Sequence, residues 1–296
     1  MRTETKGALL VLLAGSLWGL SGFFVTILSR MGSNPAVTGL FRLGFGFVFL
    51  LVASLLLYGP AAFLIDRRTL LFSFLLGLIS IGLNTWVHTL SILLNGMSAA
   101  VILINLAPVF TLVWSMLFFS ELPPSRQWLA IALNLSGCAL AVTGGEAARF
   151  FTGWPGLLYG VAAGVTYSLS PIFGRYATQN TPPVIVSCYS FFFAVLFLAL
   201  FSGPGAQPVP LTGTLLVTGA FYALLTACAF VSYYAGVRRI KKSSRVPILA
   251  SVEIVMAVGV GVLFFGEDLR PVHLLGIALL FFSIVLMRPQ TEVSNS

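Results

Sequence analysis

Glu253 lies in the run SVEIVMAVGVGVLFFGED, residues 251–268, a carboxylate among side chains apolar enough for the interior of a bilayer. A carboxyl there either packs as a neutral, hydrogen-bonded acid or works, by exchanging a proton or meeting a cationic substrate. Arg42 is the matching oddity in the run 36–58. Its guanidinium can hold a carboxylate bidentately, or it can run outward along the helix and position a loop. The outward course is the expectation. Asn84, His88 and Ser91 fall at i, i+4 and i+7, on one face of a helix. Three polar groups so aligned in an apolar segment suggest a cavity wall, with Asn105 at similar depth. Tyr222, Thr226 and Tyr233 form a comparable face, with Tyr234 beside it. Trp18 and Tyr167 sit mid-segment, each flanked by serines, which suggests a face open to water. The candidate substrate contacts are therefore Trp18, Asn84, His88, Ser91, Asn105, Tyr167, Tyr233 and Tyr234. The candidates for coupling or gating are Arg42, Pro108 and Glu253. Proline lacks an N–H, so Pro108 should loosen its helix locally.

No other chemistry assembles. The two histidines, His88 and His273, belong to no HExxH stretch, and there is no GxSxG or GxxxxGK[ST]. Cys138, Cys188 and Cys228 all lie in apolar runs, without disulfide framework or metal spacing. No cofactor and no metal are expected.

These residues must be held by membrane-spanning elements. The 296-residue chain is 58% hydrophobic and 8% charged, with a mean hydropathy of +1.01. Soluble domains carry about a quarter charged residues, so this chain cannot cover a large apolar interior with a water-facing surface. A bilayer can serve as its solvent instead, and a spanning helix needs about 20 mostly apolar residues. Gly, Pro and charge clusters divide the chain into ten such segments: 7–29, 36–58, 70–94, 98–119, 127–144, 154–174, 183–203, 211–236, 246–265 and 272–287. The first resembles a signal peptide, but its apolar run continues to about Leu28 and reads as an uncleaved span. The +8 net charge forms no basic stripe, which excludes nucleic acid as the explanation. With the N-terminus inside, alternate loops place twelve Lys and Arg on the cytoplasmic side against three (Arg30, Arg149 and Arg270) on the other. Both termini are then cytoplasmic.

The two halves resemble each other. Gly7, Gly15 and Trp18 match Gly156, Gly164 and Tyr167 at an offset of 149, and Pro35 and Pro183 open corresponding segments. An offset of 146 aligns Glu121 with Glu267 and His88 with Tyr234. Five spans per half is an odd number, so the second copy is inverted. The expected fold is an all-α membrane protein of ten transmembrane helices in two inverted five-helix repeats, 7–144 and 154–287, with a cytoplasmic tail at 288–296. Inverted repeats are frequent in secondary transporters, which hold substrate near the midplane between the halves.

The stretches LWGLSG, LAPVF, SELPPSRQWLAIAL and FFGEDLRPVHLLGIAL resemble, in order and spacing, the drug/metabolite transporter superfamily in its ten-helix EamA branch. The resemblance covers 7–287. It implies a Glu-Pro pair in the ninth helix; here Glu253 keeps the acid and Ile254 replaces the proline, while the first half has Ala107-Pro108. A proline hinge is thus expected only in the fourth helix. The resemblance also implies an exporter of amino acids or related metabolites. The expectation is a secondary transporter in the plasma (inner) membrane, a monomer or homodimer, working by alternating access with protons as coupling ion. An intramembrane enzyme and a passive channel are the alternatives.

Overall fold

The computed structural model describes residues 2–33, 35–120, 122–146, 153–201 and 212–287. Within them the chain forms α1 (Arg2–Arg30), α2 (Pro35–Tyr58), α3 (Arg67–Asn95), α4 (Met97–Phe119), α5 (Ser125–Thr143), α6 (Trp154–Ala177), α7 (Pro183–Phe201), α8 (Gly213–Val237), α9 (Ser243–Phe265) and α10 (Pro271–Leu286). There is no strand among the described residues. Glu121, Arg149, Arg288 and the tail 288–296 lie outside them.

Among the described residues, eight helices are long and apolar enough to cross a membrane: all but α5 and α10. Helix α10 has 16 residues, about 24 Å at 1.5 Å per residue, which is short of a hydrocarbon core of about 30 Å. Helix α5 is diluted by Arg126, Gln127 and Asn134.

Large apolar side chains point outward, as lipid-facing surfaces allow: Leu56 and Leu263 are about four-fifths exposed. The interior is instead rich in small and hydroxylated residues, among them Ser54, Ser115, Ser187 and Ala223 at 0% exposure. Lipid offers helices no hydrophobic reason to associate, so close approach and interhelical hydrogen bonds must hold them together.

The packing repeats itself. Helix α1 lies along α8 and α9, and α6 lies along α3 and α4. Helix α2 packs on α7 and α8, and α7 packs on α2 and α3, while α5 and α10 pair with each other. Advancing each helix number by five maps this set of neighbours onto itself, so a two-repeat architecture fits the molecule.

Four helices depart from regular α geometry. Helix α3 widens to a π-helix over Leu76–Leu83, against α7. Helix α6 is interrupted at Leu169, just before Pro171. Helices α4 and α9 are interrupted at Asn105–Leu106 and at Ser251. Asn105 and Ser251 are 146 positions apart, the offset of the sequence repeat.

Candidate functional site

The two interruptions arise differently. In α4, Pro108 has no N–H to give the Ile104 carbonyl, and its ring crowds that carbonyl. Asn105 occupies the break and turns its amide back to the Val101 carbonyl at 2.8 Å. Helix α9 has Ile254 in the proline position, so no proline hinge can form there, yet it breaks at the corresponding residue. A side-chain bridge replaces the proline. Ser251 Oγ donates to the Ile248 carbonyl at 2.7 Å and accepts from Asn134 Nδ2 of α5 at 2.6 Å. Asn134 also donates to Ser283 Oγ of α10 at 3.3 Å.

Each break is met by a glycine of the opposite half. A methyl group on Gly15 of α1 would collide with the Ala250 carbonyl and Val252; one on Gly164 of α6 would press on the Leu103 and Ile104 carbonyls and Leu106. Farther along the same face of α1, Gly19 abuts Glu253 and Met256, but Gly22 has nothing within 4 Å. Helices α1 and α9 meet backbone to backbone near the break, and beyond Gly19 they touch through larger side chains, with the Phe23 ring 5.0 Å from that of Phe264.

Glu253 sits in the first turn of the half-helix Val252–Phe265, where the N-terminal end of the helix dipole favours negative charge. It is half-buried and makes no hydrogen bond or ion pair among the described residues. It lies within electrostatic reach of Tyr167 and Tyr233. Those tyrosines belong to an aromatic group centred on Trp18, whose ring lies 5.1 Å from Tyr233, 5.2 Å from Phe230 and 6.2 Å from Tyr167. The hydroxyls of Tyr167 and Tyr233 are buried and close enough to interact with each other, and Tyr233 with Ser170, but neither makes a hydrogen bond of good geometry. Buried polar groups are ordinarily well satisfied, so two phenols that meet only loosely, beside an unpaired carboxyl, are suited to receive a polar ligand. Tyr234 is different: its hydroxyl reaches Ser170 Oγ at 3.3 Å.

The remaining sequence-predicted residues are placed elsewhere. Asn84 donates to the Ala163 carbonyl at 2.8 Å and to Thr166 Oγ1 at 3.0 Å, and Ser91 donates to the Gly156 carbonyl at 3.4 Å. Both fasten α3 to α6. His88 of the same stripe has a buried Nε2 with no partner and feels the charge of Arg42. Arg42 does not run outward as expected; its Nη2 donates to Thr85 Oγ1 on α3 at 3.0 Å. Of the serines beside Trp18 and Tyr167, Ser21 donates to the Trp18 carbonyl, while Ser168 donates to the Val165 carbonyl and accepts from Trp114 Nε1 at 2.9 Å. Sequence reasoning missed Thr85, Phe230, Asn134 and Ser251. A lone amide inside α5 was the available signal for Asn134. A groove of about 330 Å³ lined by Arg67, Leu70, Leu71, Phe74 and Phe193 lies on the exposed outer wall, apart from these groups.

The end of the bundle carrying Arg245 is tightly packed. Arg245 pairs with Glu4 at 2.9 Å, their side chains 10% and 16% exposed, and the Arg175 guanidinium lies 4.2 Å from the Phe119 ring centre. At the other end the Arg270–Glu146 pair, at 2.6 Å, is about half exposed.

A family model described as the EamA-like transporter family matches residues 5–143 and again 154–288. The chain belongs to the EamA-like transporter family. Among curated relatives of this EamA-like chain is a probable terminal-alkyne amino-acid exporter of Streptantibioticus cattleyicolor, 30% identical over 65% of the chain and 64% of that protein. The aligned region thus spans a little under two thirds of the exporter's length. A Bacillus subtilis transporter, YwfM, is 26% identical over 95% of the chain and 93% of its own. A transporter of Archaeoglobus fulgidus is 26% identical over 96% and 97% respectively. A solved crystal structure, 15% identical, superposes with a TM-score of 0.78 over 96% of both chains, which establishes likeness of fold. Family and relatives are membrane transporters, which points away from an enzyme.

Proposed function

We propose that the chain is a secondary transporter that moves a small organic metabolite such as an amino acid, most simply as an exporter in the plasma membrane. The carrying observation is the meeting of the two half-helix breaks, Asn105 and Ser251, with glycines of the opposite half, beside an unpaired Glu253 and an aromatic wall. Discontinuous helices at a repeat interface are where secondary transporters hold their cargo, and rocking one half against the other exposes that place to each side in turn. In this reading all ten helices cross the bilayer, as inverted repeats 7–144 and 154–287. Both termini and the tail 288–296 are cytoplasmic. Substrate meets Trp18, Tyr167 and Tyr233, and Glu253 beside them carries the coupling proton. The exporter relative supports an amino-acid cargo.

Proteoliposomes test the class. Preloading with unlabelled substrate should accelerate entry of labelled substrate, with saturation. Uptake that neither saturates nor accelerates on preloading would indicate a channel and overturn the reading.

A further inference from the structure

We propose that Arg42, with Thr85 and His88, forms a subsite for the carboxylate of the transported molecule. The inference rests on the transporter reading and narrows its substrate to amino acids, held by their carboxylate. Arg42 lies seven residues into α2 from Pro35, about 10 Å along the helix. A permanently charged group at such depth is retained where it has a partner or a task. No acid among the described residues pairs with Arg42, and its one hydrogen bond is to a neutral hydroxyl, Thr85 Oγ1. That bond turns the guanidinium inward and fixes the plane in which its remaining donors lie.

Two polar atoms there are unsatisfied. Arg42 Nε and His88 Nε2 are both buried without a partner. A guanidinium edge presents Nε–H and Nη–H side by side, at the spacing of the two oxygens of a carboxylate. Thr85 and His88 stand three positions apart on α3, so both can address one ligand from a single helix face. An imidazole donates or accepts through Nε2 as the ligand requires. The subsite thus offers a cation, two hydrogen-bonding side chains and no competing carboxylate. The acidic group of the interior, Glu253, stands with the tyrosines instead.

The test uses the purified full-length protein in nanodiscs and the twenty standard amino acids, scored by thermal stabilisation. Each stabilising compound is then compared with its amide and its deaminated acid. The proposal expects at least one amino acid to stabilise, its deaminated acid to retain binding, and its amide to bind about tenfold more weakly or worse. Arg42→Gln should remove the preference for acid over amide, and Arg42→Lys should retain part of it. His88→Gln should weaken the acid and leave the amide unchanged. Each variant is first shown to be monodisperse, with parental melting in the absence of ligand; if Arg42→Gln is not, Arg42→Lys and His88→Gln decide. The proposal fails if no amino acid stabilises, if amide and acid bind alike in the parent, or if the preference survives both substitutions at Arg42. Counterflow of amines or amides in proteoliposomes would, in any of those cases, leave the transporter reading standing while the carboxylate subsite falls.

Discussion

At the scale of single residues, Glu253 has the clearest consequence. Replacing it by Gln keeps its shape and hydrogen-bonding capacity and removes the proton it could carry. With Glu253→Gln, accumulation driven by a pH gradient should fall to the level reached without a gradient, while counterflow stays within about twofold of the parent. Accumulation equal to the parent across the pH range would exclude coupling through this carboxyl. A second residue speaks to stability. Ser120 ends α4 at φ 52°, where its counterpart Gly266 ends α9 at φ 68°. A left-handed residue at a helix end favours glycine, so Ser120→Gly should stabilise by roughly 0.5–1 kcal/mol, measured as a rise in melting temperature. Asp66 caps α3 by accepting from the Thr69 N–H at 3.2 Å, and that hydrogen bonding holds its carboxyl below the ordinary value of 3.8. A depressed carboxyl stabilises the fold above its unfolded pKa and loses that contribution as pH falls through the folded value. Asp66→Asn should therefore flatten the acid limb of a stability profile. The groups that make up the proposed site were noticeable at this scale because an acid, a cation and paired aromatics stand out in apolar runs. Hydrogen-bond partners did not stand out: nothing in the spacing of Asn84 and Ser91 reveals that both are consumed by α6, while His88 between them is not.

Among elements, the breaks and the glycines that meet them carry the argument. Gly15→Ala should destabilise by about 1–3 kcal/mol, because the added methyl meets backbone at the α9 break that cannot move aside. Gly22→Ala on the same face has room, and should be neutral or stabilise by up to about 1 kcal/mol through helix propensity. Equal melting of the two variants would mean that α1 and α9 do not converge as described. The segmentation into ten apolar runs corresponds closely to the helices, since Gly, Pro and charge punctuate lipid-facing sequence sharply. The interiors of those helices were less transparent. Pro108 marked one break, but Ser251 breaks α9 through Asn134, a partner 117 positions away. The π-helical stretch of α3 carries only Gly, Ser and aliphatic residues, which any apolar helix might share.

For the whole molecule, orientation is the decisive matter. In a background with the three native cysteines replaced by alanine, a cysteine at Arg270 should react with an impermeant reagent added outside intact cells. One at Lys241 should stay protected; both positions are exposed to solvent in the structure. The reverse pattern would invert the topology. The internal symmetry was visible in sequence because matched glycines and loop residues keep their offsets, whereas the exchange of neighbours between halves exists only in three dimensions.

The two ends of the bundle differ in how their ion pairs meet water, and under the proposed alternating access this makes the protein an unequal responder to ionic strength. Dissolved ions reach the half-exposed Arg270–Glu146 pair directly and weaken it. They barely reach Glu4–Arg245 while that end is closed; on opening, as the proposed alternating access requires, they would stabilise the separated charges. Raising the salt concentration on the Arg245 side alone should therefore shift the carrier toward the conformation open to that side, seen as faster labelling of a cysteine at Ser244. The same salt on the opposite side should leave that labelling rate unchanged.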